Sequence, residues 1–114
     1  MDSLAAASDA CMIYITAGTG DEARVIARAL VDEKLVACAN ILGPATSIYT
    51  WNGATEEAQE FVLICKTGRA MASQAAARAK ALHSYATPCI TVYDMAAAYP
   101  PYLQWIMTET GRAG

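Results

Sequence analysis

The sequence has few charged residues and no cluster of positive ones. It holds 8 Lys and Arg against 11 Asp and Glu, a formal net charge of −3 at pH 7. Because proteins that bind nucleic acid neutralise phosphates with basic patches, we expect no DNA or RNA partner. No apolar stretch reaches the ~18 residues of a membrane span, so we expect no membrane partner. Residues 1–10 contain Asp2 and Asp9 but no basic residue, unlike a secretory signal, and this predicts a cytoplasmic protein.

Motifs of enzymes and of nucleotide cofactors are also absent. The chain has no G-x-S-x-G, no H-E-x-x-H, no P-loop and no G-x-G-x-x-G. We therefore expect neither an enzyme nor an organic cofactor. The 4 cysteines include no C-x-x-C pair, which argues against a zinc ribbon and favours separate thiols in a reducing compartment.

The sequence does contain short β-rich stretches that alternate with helical ones. Thr19 and Glu22 form a capping-box pattern, which predicts that a helix begins there. Asn52-Gly53 is typical of a type I′ hairpin turn. We predict strands over 11–17, 35–41 (resuming over 46–51), 54–67 and 89–95, and helices after Thr19, over 70–82 and over 100–109. Gly43-Pro44 predicts a bend or bulge within the second strand, because proline cannot donate to the ladder.

This β-α-β-β-α-β order with a C-terminal helix predicts an α+β, ferredoxin-like split βαβ fold. The sheet would be antiparallel, with the first two helices on one face. The strand centre 61–65 is apolar on both faces, so we expect a second chain to cover the face that the helices leave bare. Residues 1–10 are expected to be a flexible N-terminal tail, and residues 11–110 a single domain.

His83, the only histidine, follows the second predicted helix. It could be an ordinary residue at a helix end or a metal ligand, since imidazole suits Zn²⁺ and Cu²⁺. One histidine does not make a site, but Cys38, Cys89 or a symmetric neighbour could supply further ligands. For the cysteines the alternative is that they are buried apolar thiols.

Aromatic residues lie at regular spacing in two places. Tyr49 and Trp51 share one strand face with Ser47. Tyr102 and Trp105 share one face of the last helix. Both groups could be ordinary packing or could line a groove between subunits.

Two blocks of the sequence carry a family resemblance. The pattern L-x-A-C-x-N spans residues 35–40 and S-x-Y-x-W-x-G spans residues 47–53, followed by His83, Tyr85 and Pro88. Over residues 12–107 the chain resembles the CutA divalent-cation-tolerance family. The resemblance implies a homotrimer with an architecture similar to PII signalling proteins, tolerance to copper and other divalent cations, and no established enzymatic activity.

The chain departs from the family's His-Pro-Tyr-Glu-x-Pro-Glu loop at three positions. Ser84 replaces the first proline, and Ala86 and Cys89 replace the two glutamates. Two carboxylates are thus lost, and a thiol beside His83 would favour Cu⁺ or Zn²⁺ over hard cations. Loss of the proline predicts a more mobile loop.

Together these observations predict a homotrimer that binds copper or another divalent ion through His83, Cys38 and Cys89. We also expect five residues at clefts between subunits: Trp51, Tyr49, Tyr85, Lys66 and Trp105. The alternatives are a PII-like protein that binds a small molecule at these clefts and a structural anchoring scaffold. A preformed pocket at the subunit cleft that holds an ordered anion or nucleotide would favour the PII-like alternative, whereas an empty, shallow cleft with His83 in solvent would favour the scaffold.

Overall fold

A computed structural model describes residues 3–110 as a four-stranded antiparallel sheet with three helices and a small two-stranded ribbon. The elements in chain order are β1 (Ala5–Ala6), β2 (Ala10–Ala17), α1 (Gly20–Asp32), β3 (Cys38–Trp51), β4 (Ala54–Gly68), a 3₁₀ turn (Arg69–Met71), α2 (Ala72–Leu82), β5 (Ile90–Asp94), β6 (Ala97–Ala98) and α3 (Pro100–Glu109). The sheet order is β3-β4-β2-β5. The predicted ferredoxin-like, antiparallel α+β architecture is confirmed.

Two short sequence motifs determine where α1 begins and where the β3–β4 hairpin turns. The Thr19 hydroxyl accepts the backbone N–H of Glu22 at 3.1 Å, as an N-cap does. The Glu22 carboxylate does not bond back to Thr19 as a capping box would; it accepts the N–H of Ser84 instead. Asn52 and Gly53 have φ values of 52° and 80°, which are the left-handed conformations of a type I′ turn.

β3 is one strand over Cys38–Trp51, and the bulge predicted at Gly43-Pro44 is confirmed. The pairing with β4 shifts register between Leu42 and Ala45, so Gly43 and Pro44 together oppose the single residue Phe61. One extra residue therefore bulges from β3, and pairing then resumes. Proline lacks an N–H for the ladder, and a bulge on this edge strand accommodates it. The strand also begins at Cys38 and not at Leu35.

The core lies between α1, α2 and one face of the sheet. Ile13, Leu63 and Cys65 of the sheet are fully buried against Ile26 and Leu30 of α1. Two small residues of α2, Ala75 and Ala79, are also fully buried, which lets that helix approach the sheet closely. Burial raises the pKa of the Cys65 thiol to about 12, which is consistent with an apolar structural role.

The opposite face of the sheet is covered only in part. Lys66 and Cys38 are register partners on this face, and both contact Tyr102 of α3. Beyond α3, Leu42 is 51% exposed and Tyr93 is 50% exposed. Four more apolar side chains of this face are half-buried: Met12, Tyr14, Val62 and Ile64.

The structure places much of the expected flexible tail in defined contacts. Residues Ala5–Ala6 pair with Ala97–Ala98, and Arg69 donates from Nε to the carbonyl of Ser8 at 2.8 Å. Ala7 is also buried. These contacts correct the expectation of a flexible tail for residues 5–10, whereas residues 1 and 2 lie outside the described part. Within residues 3–110, no helix is both long and apolar enough to cross a membrane.

Candidate functional site

A cleft of about 530 Å³ opens where β2 ends and the loop after α2 crosses it. We call it the aromatic cleft. Its lining residues come from β2, β3, β4 and the 85–89 loop: Thr16, Ser47, Tyr49, Trp51, Glu60, Tyr85, Ala86, Thr87 and Cys89. The predicted alternation of Ser47, Tyr49 and Trp51 on one strand face is thus confirmed, since all three line it.

His83 lies behind the aromatic cleft and is only 9% exposed. Its Nδ1 accepts the backbone N–H of Tyr85 at 3.1 Å, so that nitrogen carries no proton. Its Nε2 lies 2.7 Å from the carbonyl oxygen of Thr16 and donates to it. The ring is therefore the neutral Nε2–H tautomer, and neither nitrogen is free to hold a metal ion in this conformation.

Glu22, in the first turn of α1, holds the loop that follows α2. Its Oε2 accepts the N–H of Ser84 at 2.6 Å and lies 3.7 Å from Nδ1 of His83. Burial raises the pKa of Glu22, but hydrogen bonds from Ser84, together with smaller contributions from His83 and the Gly18 backbone, outweigh it, and the net pKa is below the ordinary value. The carboxylate therefore helps set the path of the loop.

Glu60 and Tyr85 meet inside the cleft. The Tyr85 hydroxyl donates to Oε2 of Glu60 at 3.1 Å, and Glu60 is only 9% exposed. Burial, followed by the hydrogen bond to Glu60, raises the pKa of Tyr85. A Cβ on Gly18 would lie 2.9 Å from the Tyr85 hydroxyl, so the missing side chain at Gly18 leaves room for this contact.

Two predicted cleft residues, Lys66 and Trp105, do not line the aromatic cleft of this chain. The Lys66 ammonium donates to Oδ1 of Asn40 at 3.3 Å and sits 5.9 Å from the centre of the Tyr102 ring. Trp105 stacks on Tyr102, with the ring centres 5.6 Å apart. The predicted set is therefore divided between two surfaces of one chain.

The three predicted metal ligands do not meet either. Cys38 lies by α3, with its Sγ 3.5 Å from the Tyr102 hydroxyl, and this hydrogen bond together with burial raises the pKa of Tyr102 to about 12. Cys89 is exposed and lines the aromatic cleft. Among residues 3–110, no three His, Cys, Asp or Glu side chains are grouped closely enough to hold an ion.

Sequence reasoning gave no role to Glu60 or to the loop contact of Glu22. A signal existed for Glu60, because it is the charged residue that directly precedes the apolar run 61–65 and so lies on a largely buried strand. For Glu22 no signal existed. Its partner Ser84 is 62 residues away, and only the folded chain brings the two together.

Comparisons with known proteins agree with this architecture. Residues 11–109 match the family model described as CutA1 divalent ion tolerance protein. The divalent-cation tolerance protein CutA of Thermus thermophilus is 41% identical over 88% of this chain and 97% of its own length. That of Archaeoglobus fulgidus is 42% identical over 82% of this chain and 91% of its own length. A solved structure of the Thermus thermophilus protein superimposes with a TM-score of 0.87 at 40% identity, covering 90% of this chain and 99% of that one.

Proposed function

Because the chain belongs to the CutA1 divalent ion tolerance family, we propose that it acts in divalent-cation tolerance as a homotrimer that binds copper or another divalent ion. The trimer proposal is supported by the exposed apolar face of the sheet, where Leu42 and Tyr93 lie beyond the cover of α3. A domain of 114 residues gains stability when a second copy covers such a face.

The described residues of one chain do not hold a complete metal site. Both nitrogens of His83 are engaged, and the Cys38 thiol contacts Tyr102. Cys89 is exposed in the aromatic cleft, so of the three candidates it can reach an ion without a rearrangement of the loop. This exposed thiol is the observation that carries the copper proposal, because thiolates select soft ions such as Cu⁺. The remaining donors would come from a neighbouring subunit or from solvent.

A Cu⁺ competition titration under anaerobic, reducing conditions tests this assignment. We expect Cys89→Ser to weaken binding by at least about tenfold, whereas the matched variant Cys38→Ser keeps the affinity. His83→Gln should also keep it, since the imidazole is already committed to Thr16 and Tyr85. Loss of binding in His83→Gln with no change in Cys89→Ser would show that the ligand is the histidine.

We propose a binding protein, not an enzyme, that works in the cytoplasm. The four cysteines are all free in the described residues, which suits a reducing compartment. His83 holds the loop and its ring nitrogens already have partners, so we assign it a positioning role without acid–base chemistry.

A second candidate function is the binding of a small molecule in the aromatic cleft. The cavity of about 530 Å³ falls within the range of ligand sites in proteins and combines aromatic faces with a few polar groups. His83 is buried and supports this preformed cavity, which favours the small-molecule alternative over a scaffold with a shallow cleft.

A further inference from the structure

The aromatic cleft combines aromatic rings with a carboxylate, and none of the residues that line it within one chain is Lys or Arg. We propose that its ligand is a small organic cation, an amine or ammonium compound, held by Glu60 and by the rings of Tyr49, Trp51 and Tyr85. This inference rests on the second candidate function above, to which it adds the charge and the chemical class of the ligand.

The Glu60 carboxylate has one oxygen available for such a ligand. Oε2 accepts the Tyr85 hydroxyl at 3.1 Å, and within residues 3–110 no protein group donates to Oε1. No fully buried side-chain oxygen or nitrogen of the described residues lacks a partner. Oε1 must therefore be reachable from the open cleft, on a residue that is otherwise only 9% exposed. A carboxylate in this position binds an ammonium group more strongly than it would in bulk water.

The rings provide the second attraction. Trp51 is 53% exposed, Tyr49 is 43% exposed and Tyr85 is 36% exposed, so each offers surface to a ligand in the cleft. The faces of aromatic rings attract cations, and such contacts are strongest with Trp. Glu56 is the register partner of Tyr49 and adds a second negative charge on the same strand face.

Other ligand classes fit less well. Phosphate and nucleotides bind best where cationic side chains offset their charge, yet the lining within one chain holds no Lys or Arg, and Lys66 of that chain is engaged with Asn40 and Tyr102. A neutral apolar ligand would remove water from Glu60 without replacing its hydrogen bonds, which costs free energy. An organic cation satisfies the carboxylate and the rings together.

Three probes of similar size and different charge test the proposal: benzylammonium, benzyl alcohol and benzoate. Each is titrated into the assembled protein at constant ionic strength, and the indole N–H signal of Trp51 is followed by NMR. The variant Trp105→Phe identifies that signal, because the chain has 2 tryptophans. We expect benzylammonium to bind about tenfold more tightly than benzyl alcohol, and benzoate to bind least.

Glu60→Gln should remove the preference for benzylammonium over benzyl alcohol, because glutamine keeps an acceptor for Tyr85 but has no charge. Glu57→Gln is the matched control; Glu57 is exposed on the same strand, does not line the cleft, and should leave all three affinities unchanged. If Glu60→Gln fails to fold, the comparison of the three probes on the unmodified protein still tests the preference for a cation.

The outcomes separate this inference from the candidate function on which it rests. Equal or tighter binding of benzyl alcohol or benzoate at Trp51 would overturn the cationic class while supporting a small-molecule site. If none of the three probes moves the Trp51 signal, both the cationic ligand class and the small-molecule site are overturned. A neighbouring subunit that fills the cleft in the trimer would give this result.

Discussion

Ser84 shows how one residue changes the way in which a loop is held. The family pattern has a proline here, and its replacement predicts a more mobile loop. In the structure, however, the Ser84 N–H donates to Glu22 at 2.6 Å. Proline has no N–H and could not make this bond. A fixed ring is thus replaced by a hydrogen bond to a carboxylate, and the position of the loop should depend on the charge of Glu22.

Glu22→Gln should therefore lower the free energy of unfolding at pH 7 by about 1 kcal/mol, since the acceptor loses its charge. The pKa of Glu22 in the folded protein lies below the ordinary value of 4.5. Its ionised form consequently adds stability above pH 4.5, and this contribution disappears as the pH falls through the lower folded pKa. Urea unfolding from pH 7 to pH 3 measures the free energy of unfolding of the variant and of the original protein. The difference between the two should shrink as the pH falls.

Asp21→Asn is the control for this experiment, because Asp21 occupies the same first turn of α1 but its side chain is fully exposed. It reports what the helix dipole and the exposed ion pair between Asp21 and Arg24 contribute. A pH-dependent loss as large in Asp21→Asn as in Glu22→Gln would mean that the contact with Ser84 is not the cause.

The sequence could identify His83 as a candidate, but not its partners. A single histidine with no nearby ligand pattern is equally compatible with a metal site and with a structural role. The Thr16 carbonyl that it contacts is 67 residues away. Long-range contacts of this kind exist only once the strands are assembled. The sequence could therefore single out His83, but not its structural role.

At the scale of elements, local chemistry was a good guide where a backbone conformation is needed. Asn52-Gly53 predicted the hairpin because both residues must have positive φ, and Thr19 predicted the start of α1 because its hydroxyl accepts a free N–H. Gly43-Pro44 predicted a bend or bulge because proline cannot donate to the strand ladder, and the structure has a bulge there. Proline interrupts hydrogen bonding locally, but pairing on both sides with β4 keeps β3 continuous through a bulge.

The alanine-rich α2 offers a matched pair of substitutions. Ala79 is fully buried in the core, whereas Ala77 is exposed on the same helix. Valine at either position should lower the free energy of unfolding by about 0.5 kcal/mol, because its helix propensity is lower than that of alanine. At Ala79 it also adds two methyl groups to a filled core, for a further cost of about 1–3 kcal/mol.

Urea unfolding of Ala79→Val and Ala77→Val at one protein concentration measures both effects. A fixed concentration is needed because association contributes to the stability of an oligomer. Equal losses in the two variants would show that α2 does not pack as closely as Ala75 and Ala79 indicate.

At the scale of the whole molecule, the order of strands and helices along the sequence predicted an antiparallel sheet with α1 and α2 on one face. The sequence also predicted that the opposite face would be apolar, because residues 61–65 alternate between two apolar sets. The sequence could not predict that α3 returns to cover part of that face or that β1 pairs with β6. Those contacts join the two ends of the domain and depend on the completed sheet.

The uncovered part of the face provides the test of assembly. Leu42 lies on it and is 51% exposed, while Val25 is 57% exposed on the outer side of α1. If a second copy packs against the face, Leu42→Glu buries an unpaired carboxylate at the interface, which costs several kcal/mol. Val25→Glu introduces the same charge where we expect only solvent. Sedimentation analysis should give three times the 12.1 kDa chain mass for the original protein and for Val25→Glu, and a smaller mass for Leu42→Glu. An unchanged trimer in Leu42→Glu would mean that the subunits associate through a different surface.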